Sequence, residues 1–271
     1  MGKQANFPAN LAEAVAGKRI LLTGASSGIG LAMAQRFKAE GAKALILADL
    51  NADGVTAAGR ALDALAVPTD VGDEAQIKAL VAAAEAAHGP VDVFCSNAGV
   101  IAKGDEDQPD DEINFCWQIN SMAHVYAARA VAPGMAERGS GYLLNTVSAA
   151  GLLIQVDSVA YTMSKHAALG LAEFLAAKYG PSGVRVSVVC PQGVRTAMTA
   201  GRPETPAAVD GMIDADDVAE AVVAGMADER FLILPHPTVA DYVARKAGDR
   251  DRWLRGMARL RERLFAGEIK Q

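Results

Sequence analysis

Tyr161 and Lys165 stand four residues apart, and Ser148 lies thirteen residues before the tyrosine. On a helix that spacing puts the phenol and the ammonium on one face, a turn apart. An unperturbed phenol has a pKa of ~10 and is ionised about once in a thousand molecules at pH 7. A fixed cation beside it favours the phenolate, giving a group that can take a proton from an alcohol and return it to a ketone. Ser148 adds a hydroxyl able to hold the same oxygen. A second cluster, Thr23-Gly24-Ala25-Ser26-Ser27-Gly28-Ile29-Gly30, indicates where a hydride would come from.

Gly24, Gly28 and Gly30 fall between an apolar, strand-like run and a helix-like one. Missing side chains let the backbone turn tightly and approach a pyrophosphate. The following helix offers free N–H groups, with Ser26, Ser27 and Ile29 beside the glycines. The Gly-x-x-x-Gly-x-Gly spacing departs from the common dinucleotide fingerprint. Read alone, the turn is open between a phosphate cradle and a structural bend. Asp49 shifts the balance. It ends the second strand, nineteen residues after Gly30, where a carboxylate accepts hydrogen bonds from an adenosine ribose. A 2′-phosphate there would meet a like charge: at ~4 Å and an effective dielectric of ~20, repulsion is about 4 kcal/mol per unit charge. Neither Ser27 nor Leu50 supplies a cation to offset it, so NAD is expected over NADP. Asp70 and Val71, after the third strand, either touch the adenine ring or belong to a turn capping the next helix. Asn97, Ala98 and Gly99 follow the fourth strand. They are small enough to pass close to a cofactor, and Asn97 could brace neighbouring strands.

These groups need a scaffold that gathers them. Short apolar runs at 19–22, 44–49, around 67, 91–96, 142–146, 184–190 and 231–234 read as strands. Helical patterns fall at 29–40, 73–88, 111–138, 159–179 and 216–227, with Pro133 expected to kink the end of the third. Strands that alternate with helices and are apolar throughout imply an α/β fold, a doubly wound, mostly parallel sheet covered on both faces. No linker divides residues 1–271, so one domain is expected. Two stretches read as additions: 197–213, rich in Ala, Gly and Pro, as a mobile loop, and 238–266 as a strongly basic helical extension. In the extension Trp253, Leu254, Met257, Leu260 and Leu264 form an apolar stripe. It packs the helix against the domain, and the segment either leaves its arginines to solvent or caps the pocket or a neighbouring subunit.

Composition removes other functions. The formal net charge of −6 and an aromatic content of 5% argue against nucleic-acid binding. Cys95, Cys116 and Cys190 are odd in number, widely spaced and set in apolar runs, so buried thiols are expected, not disulfides or zinc. The four histidines show no metal spacing. No apolar run is long enough to cross a bilayer and no apolar leader opens the chain, so a cytoplasmic location is expected.

Taken together, the glycine turn, Ser96-Asn97-Ala98-Gly99, Asn120, Ser148, Tyr161-x-x-x-Lys165 and Pro191-x-x-Val194-x-Thr196 resemble the classical short-chain dehydrogenases/reductases over residues 18–196. The resemblance implies a seven-stranded Rossmann fold and secondary alcohol–ketone chemistry with Tyr161 as acid and base. It also implies that Ser148 orients the substrate oxygen and Lys165 binds the nicotinamide ribose. Asn120 would hold a water leading from Lys165, and Val194 and Thr196 the carboxamide end of the cofactor. Homodimers or homotetramers are implied too. Two departures stand out: Ser96 replaces an asparagine and Gln192 a glycine. On the substrate side, Leu152, Leu153 and Ile154, with Val100, Ile101 and Met198, suggest an apolar, unphosphorylated alcohol or ketone, unless they are simply core. A catalytically silent NAD-binding regulator on the same scaffold is the competing class.

Overall fold

Side chains alternate across each central strand into two separate cores, and this forces helices onto both sides of the sheet. Ile20 and Leu22 enter one core and Leu21 the other; Leu45 and Leu47 likewise oppose Ile46 and Ala48. In the computed structural model, residues 14–200 and 206–268 are described. Seven strands form one sheet in the order β3-β2-β1-β4-β5-β6-β9, every pairing parallel. They are β1 (Arg19–Thr23), β2 (Ala44–Asp49), β3 (Leu65–Pro68), β4 (Val93–Ser96), β5 (Gly141–Thr146), β6 (Val184–Val189) and β9 (Leu232–Ile233). Between them run α1 (Gly28–Ala39), α2 (Ala52–Leu62), α3 (Glu74–His88), α4 (Asp110–Trp117), α5 (Ala123–Glu137), α6 (Ala149–Leu152), α7 (Val159–Tyr179) and α8 (Ala215–Ala227). A small ribbon pairs β7 (Val194–Arg195) with β8 (Ile213–Asp214). The strand order reverses between β1 and β4, which opens a crevice at the carboxyl ends of the strands.

The stretch 111–138 is helical as expected, but a π turn at Gln118–Met122 separates α4 from α5, and α5 runs through Pro133 to Glu137. Pro133 removes one helical N–H donor, but buried Val131, Ala132 and Met135 hold the turn against the core. Helix α2 was not anticipated, since Gly54 and Gly59 lower helix propensity in its sequence. It forms because Asn51 caps it and because Gly59 lies against β3, where a Cβ would stand 2.7 Å from that of Ala66. The basic extension breaks at Asp249 into α9 (Thr238–Gly248) and α10 (Arg250–Phe265). In the segment 197–213, residues 201–205 lie outside the described residues.

Asn97 ties three strand ends together. Its side-chain amide donates to the carbonyls of Thr23 (3.1 Å) and Gly24 (3.3 Å), and its oxygen accepts from the Thr146 hydroxyl (2.9 Å). The Thr23 hydroxyl in turn accepts from the backbone of Asn97 and Ala98. Asn97→Ala should therefore lower unfolding stability by about 2–4 kcal/mol, since several half-buried partners lose their bonds at once. Urea unfolding measures this; a loss under about 0.5 kcal/mol would mean that water replaces the brace.

Candidate active site

The glycine turn is shaped by collisions that only glycine avoids. A Cβ on Gly30 would fall 1.9 Å from the Gly24 carbonyl oxygen, and one on Gly24 would fall 2.9 Å from Ala98 Cα. Gly24 and Gly28 also hold positive φ, +66° and +53°. Ser27 precedes α1 without a side-chain cap bond, and no acid stands in the first turn. The first N–H groups of α1 are thus free to meet an anion. They face a cavity of about 410 Å³.

That cavity gathers nearly all the residues singled out by sequence. Gly24, Ser26, Ser27, Gly28, Ile29 and Gly30 line one side, with Asp49, Asp70 and Val71 at one end. Asn97, Ala98 and Gly99 form the floor, and Ser148, Tyr161, Lys165, Pro191, Val194 and Thr196 the other end. Leu50, Thr69, Phe115 and Ile119 also line it and were missed. The first two follow strand ends, which was a usable signal; the latter pair reach the site only through the packing of α4 and the π turn. Asp49 accepts from the backbone N–H of Ser26 and of Asn51, both at 2.9 Å. Each carboxylate oxygen keeps a second acceptor site for a ribose hydroxyl. Asp70 accepts from Gly72 N (2.8 Å) in a tight turn and still borders the cavity. The free helix terminus, the missing Cβ atoms and the open carboxylate suit a dinucleotide: pyrophosphate at α1, ribose at Asp49.

At the other end, α7 starts at Ser158, whose hydroxyl accepts from the Tyr161 N–H (3.1 Å) and donates to the Ala102 carbonyl. Tyr161 therefore sits in the first turn, where the helix dipole favours an anion. Lys165, one turn on, is 2% exposed and donates to the Thr146 carbonyl (3.0 Å). Its ammonium lies 5.6 Å from the centre of the Tyr161 ring. The protein alone does not acidify the phenol. Burial pushes Tyr161 up to about 12, against a smaller lowering by the Ser148 hydroxyl. Burial likewise pulls Lys165 down to about 8. His124, also buried, is pushed down to about 3 by burial and then by the Lys165 charge, so its ring is neutral and Lys165 is left as the cation there.

Asn120 is fully buried and does not line the cavity. Both its amide hydrogens are used, on the Val100 carbonyl (2.9 Å) and Ser164 Oγ (3.1 Å), while its oxygen accepts from Val100 N. Only the oxygen's second lone pair remains for a water, so its observed task is to hold the strand-end loop beside Lys165. The cysteines are free and buried; burial pushes Cys190 up to about 12. Among the described residues no three His, Cys, Asp or Glu side chains converge on a metal-sized site, and no helix is long and apolar enough to cross a membrane.

Ser148 and Gln192 also border a second cavity of about 450 Å³, walled by Leu153, Ile154 and residues of α10. Leu152 lies behind it: its carbonyl, with that of Leu153, accepts from Lys246 Nζ (2.6 and 3.1 Å). Val100 and Met198 line the first cavity, and Ile101 neither. The Gln192 side-chain oxygen is buried without a partner among the described residues. His236, which sequence did not single out, fixes this loop: Nδ1 accepts from Gln192 N (3.1 Å) and Nε2 donates to the Gly193 carbonyl (3.1 Å).

Residues 18–207 match the family model for short chain dehydrogenases. A 1-deoxy-11-beta-hydroxypentalenate dehydrogenase from Streptomyces exfoliatus is 35% identical over 223 residues, 79% of this chain and 81% of its own. The (+)-borneol dehydrogenase 1 of Salvia officinalis is 32% identical over 240 residues, 83% of this chain and 92% of its own. A short chain dehydrogenase/reductase from Burkholderia phymatum, solved in complex with NAD, superposes with a TM-score of 0.81 at 29% identity, covering 88% of this chain and 95% of that one. With its all-parallel sheet, glycine turn and Tyr161–Lys165 helix, the chain belongs to the short-chain dehydrogenase/reductase family.

Proposed function

We propose that this oxidoreductase interconverts a secondary alcohol and its ketone with NAD as hydride carrier and Tyr161 as the proton-transfer group. The observation that carries the reading is that Ser148 borders both cavities, while Tyr161 and Lys165 line the one built on the glycine turn. The hydride carrier and the substrate thereby share one wall. Two relatives support it, since both are named as dehydrogenases of alcohols, a hydroxypentalenate and borneol. When bound, the nicotinamide supplies the hydride acceptor or donor. The α1 terminus would hold the pyrophosphate, Asp49 the adenosine ribose, Lys165 the nicotinamide ribose, and Val194 and Thr196 the carboxamide end. Ser148 donates to the reacting oxygen and orients it. In reduction the Tyr161 phenol gives its proton to the carbonyl oxygen; in oxidation the phenolate takes it from the alcohol.

A phenol held near 12 is protonated at neutral pH, so the protein alone is poised to donate. Oxidation needs the phenolate and should rise with pH from 7 to about 9, while reduction, which uses the phenol, should stay flat across that range. NADH absorbance in both directions reads this; parallel slopes would count against Tyr161. Tyr161→Phe should cut turnover by at least ~100-fold in both directions and leave NADH affinity, measured by fluorescence, unchanged. If cofactor binds but no alcohol or ketone is turned over by the native protein, the silent regulator becomes the better reading. Asp49→Ser should shrink the preference for NAD over NADP by at least about tenfold, because a charge repelling the 2′-phosphate is gone; an unchanged ratio would place cofactor selection elsewhere.

The buried ammonium also bears on stability. Lys165 has its folded pKa lowered from 10.5 to about 8, so the unfolded chain binds the extra proton between those values and stability rises with pH across that window. At neutral pH the burial costs on the order of 3 kcal/mol. Lys165→Met should be inactive yet more stable than the native chain at pH 7 by about 2–3 kcal/mol, with the gap closing toward pH 10.5. Urea midpoints at both pH values decide it; a destabilised variant at pH 7 would show that the Thr146 bond outweighs desolvation.

A further inference from the structure

The second cavity is lined mostly by apolar residues, together with two arginines. Leu153, Ile154, Trp253, Met257 and Leu260 offer hydrocarbon, and Ser148 marks the reacting end. The charged groups on its wall, among the described residues, are Arg259 and Arg263, one turn apart on α10; no carboxylate lines it.

The cations of this segment divide into two sets. Lys246 is buried, donates to the carbonyls of Leu152 and Leu153 and lies 5.0 Å from the centre of the Trp253 ring. Arg261 is bound to the Val156 carbonyl and to Asp105 (2.6 Å). Those two hold α9 and α10 onto the loop after α6. Arg259 has no ion pair or hydrogen bond among the described residues, and Arg263 meets only Glu268, at 3.8 Å with both groups exposed. Such an exposed pair is weak and easily exchanged for another carboxylate. Asp210, near the cavity mouth, is engaged by the Tyr242 hydroxyl (2.8 Å) and does not line the wall.

One guanidinium group without an ion pair and one held only by a weak exposed pair, both on the wall of a mostly apolar chamber, present fork-shaped donors that suit a planar carboxylate. We propose that the alcohol substrate has a hydrocarbon body and a carboxylate at the end remote from the reacting hydroxyl, received by Arg259 and Arg263. The assignment deepens the proposed function and rests on it for which end reacts; the charge recognition itself does not require turnover.

The test uses the full chain saturated with NAD and three matched probes: 9-hydroxydecanoate, its methyl ester and decan-2-ol. Binding is measured by titration calorimetry, and turnover separately by NADH absorbance. The acid should bind about tenfold tighter than the ester, with added salt weakening the acid alone. The double variant Arg259→Met/Arg263→Met should erase that difference and keep the ester's affinity, which also reports that the cavity is intact. Equal binding of acid and ester, binding of neither, or a double variant that still prefers the acid would overturn the proposal. Charge-selective binding without turnover would uphold it and overturn the redox reading instead.

Discussion

An ammonium taken almost wholly out of water governs this structure. Lys165 keeps one identified bond, to the Thr146 carbonyl, and its pKa falls because burial disfavours its charge. The same burial raises the Tyr161 phenol. Two groups that would have to be charged together in alcohol oxidation are thus both held toward neutrality by the protein alone. Proximity of lysine to tyrosine is insufficient to make a phenolate here: desolvation wins over a cation whose charge lies 5.6 Å from the ring centre. The helix terminus under Tyr161 acts in the favourable direction, but a partial charge at a first turn is small against the desolvation of the phenol. In the proposed mechanism, ionisation would await a further positive charge in the cleft, which would couple proton transfer to occupancy of the nucleotide site.

Precision at that centre comes from backbone carbonyls and amides held by side chains. Asn97 fixes β1 to β5 across β4, so the glycine turn and Thr146 keep one relation. Thr146 is also the Lys165 acceptor, which joins the glycine turn to α7 through two residues. Asn120 does the same for the loop at Val100, and the π turn explains how. An extra residue in the helical turn places Asn120 against both Val100 and Ser164. Irregular helix geometry costs hydrogen-bond quality and persists where a side chain needs an otherwise unavailable position.

Local chemistry determined what could be read before the fold was seen. Strands apolar on both faces announced a parallel sheet, and the glycine turn, Asp49, Ser148 and the Tyr161–Lys165 pair were visible because their spacing is short-range. Helix α2 was hidden because Gly54 and Gly59 depress helix propensity, and tertiary packing against Ala66 decides the matter. The π turn left no compositional trace, since Gln118–Met122 reads like any helical segment. His236 lies 44 residues from Gln192, and nothing in either neighbourhood signals their bond. The rise in the phenol's pKa was equally invisible, because it depends on how much water the assembled cleft excludes.

The C-terminal pair of helices shows how one basic segment can serve two ends. Its sequence suggests a uniform arginine face, yet its cations differ by burial and partner. Lys246 and Arg261 reach backbone carbonyls of the loop after α6, groups that no regular element satisfies, and so fix where α10 lies. Once placed, α10 closes the second cavity with Trp253, Gly256, Met257 and Leu260. The position of the wall thus follows from charges that face inward, and its chemistry from residues that face the cavity. Gln192 borders both cavities, with a buried oxygen lacking a partner among the described residues and a backbone N–H held by His236. The shape contributed by α10 and the polarity contributed by Gln192 thus come from residues separate from Ser148, Tyr161 and Lys165.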